Sequence, residues 1–456
     1  MKDKIRIASG QGFWGDLIEA PYQQVTKGDV DYLVMDYLAE VTMSILQKQK
    51  NKKPNLGYAR DLPPLMKRLL PVCKEKGIKV ITNGGGVNPV ACADAILEEA
   101  LQLGIENLRI AVVLGDDIKD RMDELLAAGA ELKNMESGEP LKEYKDKILS
   151  ANVYFGALPI VEALEKGADI VITGRTTDTG LTLAPMIYEF GWDPKNYDLM
   201  AAGTVAGHIL ECGAQSTGGN FLGDWESIEN FAEIGFPIAE AYPNGEVVVT
   251  KHENTGGRVS YDTVAEQLVY EIGDPKSYIT PDCIADFSSI KLEDLGDNRV
   301  KVYDVKGFKE TEFYKVSCSY SSGYSAIGSL TYSWPKALTK AKRADRILRK
   351  RLENLGLQFE EINTEFIGYN ATQGPLSREL DEDLINEVML RFAVRANDRA
   401  TVERFGKEIA PLILTGPPSV TGFAGGRPKP SEVVAYWPAL LQKTLVEPHV
   451  KILELK

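Results

Sequence analysis

The sequence lacks any apolar stretch of the ~18 residues that a membrane-spanning helix needs. Its start, MKDKIRIASGQGFWGD, enters a strand pattern directly, without the apolar segment of a signal peptide. Cysteine is sparse: Cys73, Cys92, Cys212, Cys283 and Cys318 stand apart with no CxxC pair. That usage suits buried free thiols in a reducing compartment, so the cytoplasm is the expected location. Positive charge is also short, with 52 Lys and Arg against 66 Asp and Glu and a net charge of -14. Without a basic excess, nucleic-acid binding is not expected. The one basic cluster, KALTKAKRADRILRKRLENLG, has helical spacing and reads as a solvated helix face.

What is present is an ordinary globular chain of 456 residues, enough for roughly two to three domains. Up to about residue 234, strands alternate with polar, Gly-containing loops and helices. The strands are IRIAS, DYLVMDYL, IKVITN, LRIAVVLG and ADIVITG; the clearest helices are LPPLMKRLLPVCKEKG, PVACADAILEEALQLG and LPIVEALEKG. This alternation predicts an α/β fold, with an N-terminal mostly parallel sheet flanked by helices over 1–234. From 235 to 456 the pattern changes to hairpins, turning at Pro243–Gly245 and near Gly296–Asn298, and then to helices around ADRILRKRLENL and INEVMLRFAVRANDRATVERFGKEIAPLIL. That order predicts a C-terminal α+β domain.

The chemistry gathers where strands hand over to helices, the edge at which open parallel sheets bind ligands. The first strand ends in Gln11, Gly12, Phe13, Trp14 and Asp16, where the GxGxxG dinucleotide pattern fails, so neither NAD nor FAD is expected. Its glycines suit backbone approach to an anion. The second ends in Asp36, Tyr37 and Glu40, candidate acid and base. The third carries Asn83, Gly84, Gly85, Gly86 and Asn88 before Pro89, a cradle for an anion or carbonyl. The fourth ends in Asp116 and Asp117, and the fifth in Arg175, Thr176 and Asp178. Each loop alone reads as helix capping; five in succession point to a site along one edge. Mg²⁺ on Asp36, Asp116 and Asp117 is compatible with the residue types but carried by no spacing.

AAGTVAGHILECGAQSTGGNF places Thr204, His208 and Glu211 or Cys212 on one helix face. With three histidines in the chain, His208 is the candidate proton carrier and Glu211 its orienting partner; the alternative is a histidine at the edge of the core satisfied by that glutamate. Further on, Lys251, Thr255, Gly256, Gly257 and Arg258 form a loop before a helix, suited to a carboxylate, a phosphate or CoA pyrophosphate, or to a plain connection.

DYLVMDYLAEVTMSIL, ITNGGGVNP, GADIVITGRTTDTGLTLAP, AAGTVAGHILECGAQSTGGNF and PPSVTGFAGGRPKPSEVVAYWP resemble, in order and over nearly the whole chain, the acyclic terpene utilisation protein A family, formerly a domain of unknown function. The resemblance implies a place beside enzymes acting on branched acyl-CoA thioesters, in gene clusters for citronellol and geraniol catabolism. It also implies a possible small partner protein related to the C-terminal domain of longer members. It carries over no catalytic residue.

The expected function is a lyase of the hydro-lyase type acting on a branched, hydroxy or unsaturated carboxylate or its CoA thioester, without a redox cofactor. In it His208 and Glu211 carry a proton, Asp36 or Glu40 is the second acid or base, Asn83 and Gly84–Gly86 bind an oxyanion, and Arg175 clamps a carboxylate. The alternatives are a hydrolase or acyl transferase with Cys212 or a threonine as nucleophile, and a non-catalytic acyl-CoA-binding subunit. A homo-oligomer is expected.

Overall fold

The computed structural model describes residues 2–38, 40–421 and 425–455. The chain opens with β1 (Ile5–Gln11), α1 (Ala20–Thr26), β2 (Tyr32–Met35), α2 (Glu40–Lys52), α3 (Leu62–Lys76), β3 (Lys79–Thr82) and α4 (Pro89–Gln102). Next come β4 (Leu108–Leu114), α5 (Met122–Ala127), β5 (Ile148–Val153), α6 (Leu158–Glu165), β6 (Ile170–Thr173), α7 (Gly180–Phe190) and α8 (Tyr197–Glu211). Then follow β7 (Ile238–Ala241), β8 (Val247–Thr250), α9 (Tyr261–Val269), β9 (Tyr278–Ile279), β10 (Ile284–Asp286), β11 (Lys291–Gly296), β12 (Arg299–Tyr303) and β13 (Lys306–Phe308). The remainder is β14 (Phe313–Ser333), α10 (Ala337–Asn354), β15 (Glu361–Ile367), β16 (Glu387–Ala396), α11 (Arg399–Ile409), α12 (Leu412–Thr415), β17 (Val420–Thr421), β18 (Ser431–Gln442) and β19 (His449–Leu455).

Two compact units result, 1–319 with 436–456, and 320–435. In the first, a ten-stranded sheet runs β11-β12-β8-β7-β1-β2-β3-β6-β4-β19. Its centre, β1, β2, β3, β6 and β4, is parallel, and the flanking pairs are antiparallel. The centre is parallel because helical crossovers separate these strands in sequence. Both faces are covered, as a parallel sheet requires. Tyr32 and Val34 of β2 join one core with residues of α6, α7 and α8, while Leu33 and Met35 join the other with residues of α3 and α4. Local signals agree with this arrangement: α4 opens on Pro89, and α3 stops at Gly77 in the left-handed conformation (φ 69°). Among the described residues, no helix is long and apolar enough to cross a membrane.

The α/β class and the five strands of the sequence reading are present. Three features differ. β7 hydrogen-bonds to β1, and β8, β12 and β11 follow outward in the same sheet, so the first unit continues past the expected boundary at 234; the hairpins read there as a new domain extend the old one. β5 was not anticipated, because ILSANV lacks a clean period, and it pairs with β14 outside the main sheet. EVMLRFAVRA, read as the start of a helix, is β16. Val388, Leu390, Phe392, Val394 and Ala396 are buried at every second position, the period of a strand and not of a helix. In the second unit β16 lies between β15 and β14, and α10 and α11 cover the sheet through Leu338, Leu348, Val402 and Phe405.

Candidate active site

A cavity of about 580 Å³ lies at the carboxyl edge of the first sheet. β1 supplies Gly12, Phe13 and Asp16 from its following loop, β2 supplies Asp36 and Leu38, and β6 supplies Arg175 and Asp178. The C-terminus of α8 adds Glu211 and Cys212, and the turn after α9 adds Tyr270 and Glu271. Gly12 lets these elements meet: a Cβ there would lie 2.7 Å from Gly213 N and 2.8 Å from the Cys212 carbonyl carbon. Its N–H donates to Asp16 Oδ2 at 2.9 Å, so this glycine serves close backbone packing and its donor already has an acceptor.

Arg175 is 2% exposed and its guanidinium stacks 4.1 Å from the Tyr154 ring centroid. Its Nη1 donates to Leu38 O and to Asp178 Oδ1 (2.9 Å), and Nη2 donates to Asp178 Oδ2 (3.4 Å). Nε has no acceptor. The expected carboxylate clamp is therefore corrected: a carboxylate of the same chain already holds the fork, and of the five N–H donors only Nε–H and the second Nη2–H are left by these bonds. Asp36 accepts at Oδ1 from Leu38 N (3.0 Å) and Asn83 Nδ2 (2.7 Å). Burial, reinforced by the charge of Asp178, holds its carboxyl well above the usual range despite Arg175 and these hydrogen bonds.

His208 is 1% exposed and does not line the cavity. Its Nε2 lies 2.9 Å from the Gln267 carbonyl oxygen, an acceptor only, so Nε2 carries a proton. Its Nδ1 lies 2.8 Å from Glu211 Oε1, a contact that requires a second proton between the two groups. Burial pulls the His208 pKa down, but the charge and hydrogen bond of Glu211 more than offset this and the pKa is raised. Burial raises the Glu211 carboxyl, against the pull of His208. The pair thus holds a proton firmly, and Glu211 Oε2 has no partner. The group that reaches the cavity is Glu211. His208 stands behind it, packed edge-on against Tyr278 and Phe287 at 5.6 and 5.3 Å.

The other expected site residues divide into supports and residues elsewhere. Asn83 is fully buried behind Asp36, donating to it and accepting from Tyr37 N at 2.8 Å. Asp116 lies beneath the backbone of Arg175, accepting from its N–H (2.8 Å) and from Asn152 Nδ2 (3.0 Å), and burial pushes its carboxyl up to about 7. Neither lines the cavity. Gly84–Gly86 do not form an oxyanion cradle: Gly84 N–H donates to Thr82 Oγ1 and Gly86 N–H to Asn83 O, and a Cβ at Gly85 would lie 2.6 Å from Thr173 O. Asn88 donates to Pro54 O and Leu56 O, Gln11 to Leu17 O, and Thr176 to Phe155 O, all away from the cavity. The side chain of Glu40 lies outside the described residues.

The loop before α9 takes the plain-connection alternative. Lys251 donates to Thr255 O, and Arg258 donates to Ser227 Oγ, so the loop before α9 holds its own cations. Among the described residues no group of three or more His, Cys, Asp or Glu stands as metal ligands do, so Asp36, Asp116 and Asp117 do not converge. Cys212 reaches the cavity, but burial and the charge of Glu211 push its thiol up to about 12, leaving little thiolate for attack on a thioester. Tyr154, Gln267 and Glu271 were missed. Tyr154 follows the unanticipated β5, Gln267 acts through its carbonyl, and Glu271 sits in a left-handed turn (φ 57°) that no motif marks.

A parallel sheet edge that carries an acidic cavity backed by a proton-holding pair defines an α/β protein with a candidate acid–base site. The chain belongs to the acyclic terpene utilisation family (AtuA), whose family model matches residues 5–452. No curated protein matches the chain.

Proposed function

We propose that the protein is a lyase of the hydro-lyase type, acting on a small hydroxyacyl or unsaturated acyl compound. The observation that supports this best is the unpartnered Oε2 of Glu211, a carboxyl hydrogen-bonded through Oε1 to a buried histidine. Glu211 removes the proton α to a carbonyl through Oε2, while imidazolium at His208 steadies the carboxylate before transfer. Asp36, whose carboxyl burial holds well above the usual range, gives a proton to the leaving hydroxyl. The C–H and C–O bonds break, a C=C bond forms and water departs; the reverse sequence adds water. Arg175 Nε–H receives the carbonyl oxygen as negative charge develops on it. This chemistry needs no redox cofactor. It is tested by following conjugated-alkene absorbance with a panel of unsaturated acyl esters and thioesters. Hydration by the wild type and its loss in Glu211→Gln support the reading. Equal turnover in the variant, or no hydration across the panel, refutes it.

A further inference from the structure

Among the described residues lining the cavity, Asp16, Asp36, Asp178, Glu211 and Glu271 are acidic, and Arg175 is the one cation. The guanidinium of Arg175 is already neutralised by Asp178 through both Nη atoms. The proton that the two contacts of His208 require offsets the charge of Glu211. Asp16 is held by the backbone N–H groups of Gly12 and Leu17, and Glu271 lines the wall beyond Tyr270. Nothing in this lining offers an anion a net positive potential, and a cavity with low-dielectric walls focuses the field it has. Arg175 lines the cavity and keeps Nε–H without an acceptor, a donor that suits an uncharged carbonyl or hydroxyl oxygen.

We infer that the cavity rejects free carboxylates and phosphates and takes an oxygen-bearing ligand without negative charge, such as an ester, thioester, aldehyde or alcohol. This rests on the acid–base reading of the same cavity and narrows its substrate: the acyl part enters as a neutral thioester or ester, and any phosphate-bearing carrier stays outside.

Cys212 allows the inference to be tested without a known substrate, because it lines the cavity while Cys73, Cys92, Cys283 and Cys318 are buried. Methanethiosulfonate reagents of three charges are used: neutral methyl, cationic trimethylammonioethyl and anionic sulfonatoethyl. Labelling of Cys212 is followed by mass spectrometry. The cationic-to-anionic rate ratio at Cys212 is expected to exceed that on a small free thiol by about tenfold or more. It should narrow in high salt and in Glu271→Gln. A ratio equal to or below that of the free thiol overturns the inference; because the raised pKa of Cys212 slows all three reagents alike, labelling is run at pH 9 and only ratios between reagents are compared. Because labelling requires no turnover, the inference can fail while hydration by Glu211 stands, and the reverse.

Discussion

The first unit contains a second cavity of nearly the same size, about 540 Å³, lined by Asp282, Lys443, Tyr314, Lys195, Lys309 and Glu310 among others. The two differ in what their charged groups are doing. Both oxygens of Asp282 accept from Ala157 N–H, at 2.9 and 3.1 Å, at the start of α6. Lys443 donates to Pro281 O at 2.7 Å and lies 5.3 Å from the Tyr314 ring. Asp282 and Lys443 are thus held by the protein itself. In the acidic cavity Glu211 Oε2 and Arg175 Nε have no such partner. Volume does not distinguish the two cavities; the proposed function is placed in the acidic one because Glu211 and Arg175 of its lining each keep a buried polar atom without a partner.

The largest effect that would break this contrast is at Glu211. Glu211→Gln should lower kcat by about 10²–10⁴-fold, the usual worth of a general base, with melting little changed. His208→Gln should lower kcat less and move the pH profile. Without the cation, the Glu211 carboxyl rises further, so the acidic limb of kcat/KM, where the base must lose its proton, shifts to higher pH. A purely structural His208 would leave that limb in place. The smallest effects are expected in the other cavity. Asp282→Ala leaves Ala157 N–H without its cap and should cost about 1 kcal/mol in stability with unchanged turnover.

Asp282 also makes a prediction for pH. Loss of surrounding water pushes its carboxyl up to about 6, above the unfolded value of about 3.9. The folded state then binds more protons between those values, so stability falls as pH rises from about 4 to 6 and levels off above that. Asp282→Asn keeps an oxygen on Ala157 N–H without the ionisation and should remove that part of the slope in pH-dependent melts.

Much of this was legible in the sequence. Apolar runs punctuated by Pro and Gly mark the parallel centre of the sheet, and the polar strand ends lead to Asp36, Arg175 and Asp178. The i, i+3 spacing pairs His208 with Glu211. What the spacing does not show is which partner faces the ligand, since the carbonyl that fixes the His208 tautomer comes from Gln267 on another helix. The fork of Arg175 looked available because Asp178, three residues on, reads as a helix cap when the backbone is unseen. Asn83 and Asp116 were expected to meet a ligand and instead hold Asp36 and the Arg175 backbone, a distinction that depends on depth and not on order along the chain.

The proton held between His208 and Glu211 is the centre of the account, and histidine-selective ¹⁵N NMR reads it directly in a chain with three histidines. The account predicts that at pH 7.5 both ring nitrogens of His208 carry protons, and that in Glu211→Gln only Nε2 does. A wild-type His208 with a bare Nδ1 that titrates near the ordinary imidazole value would contradict it.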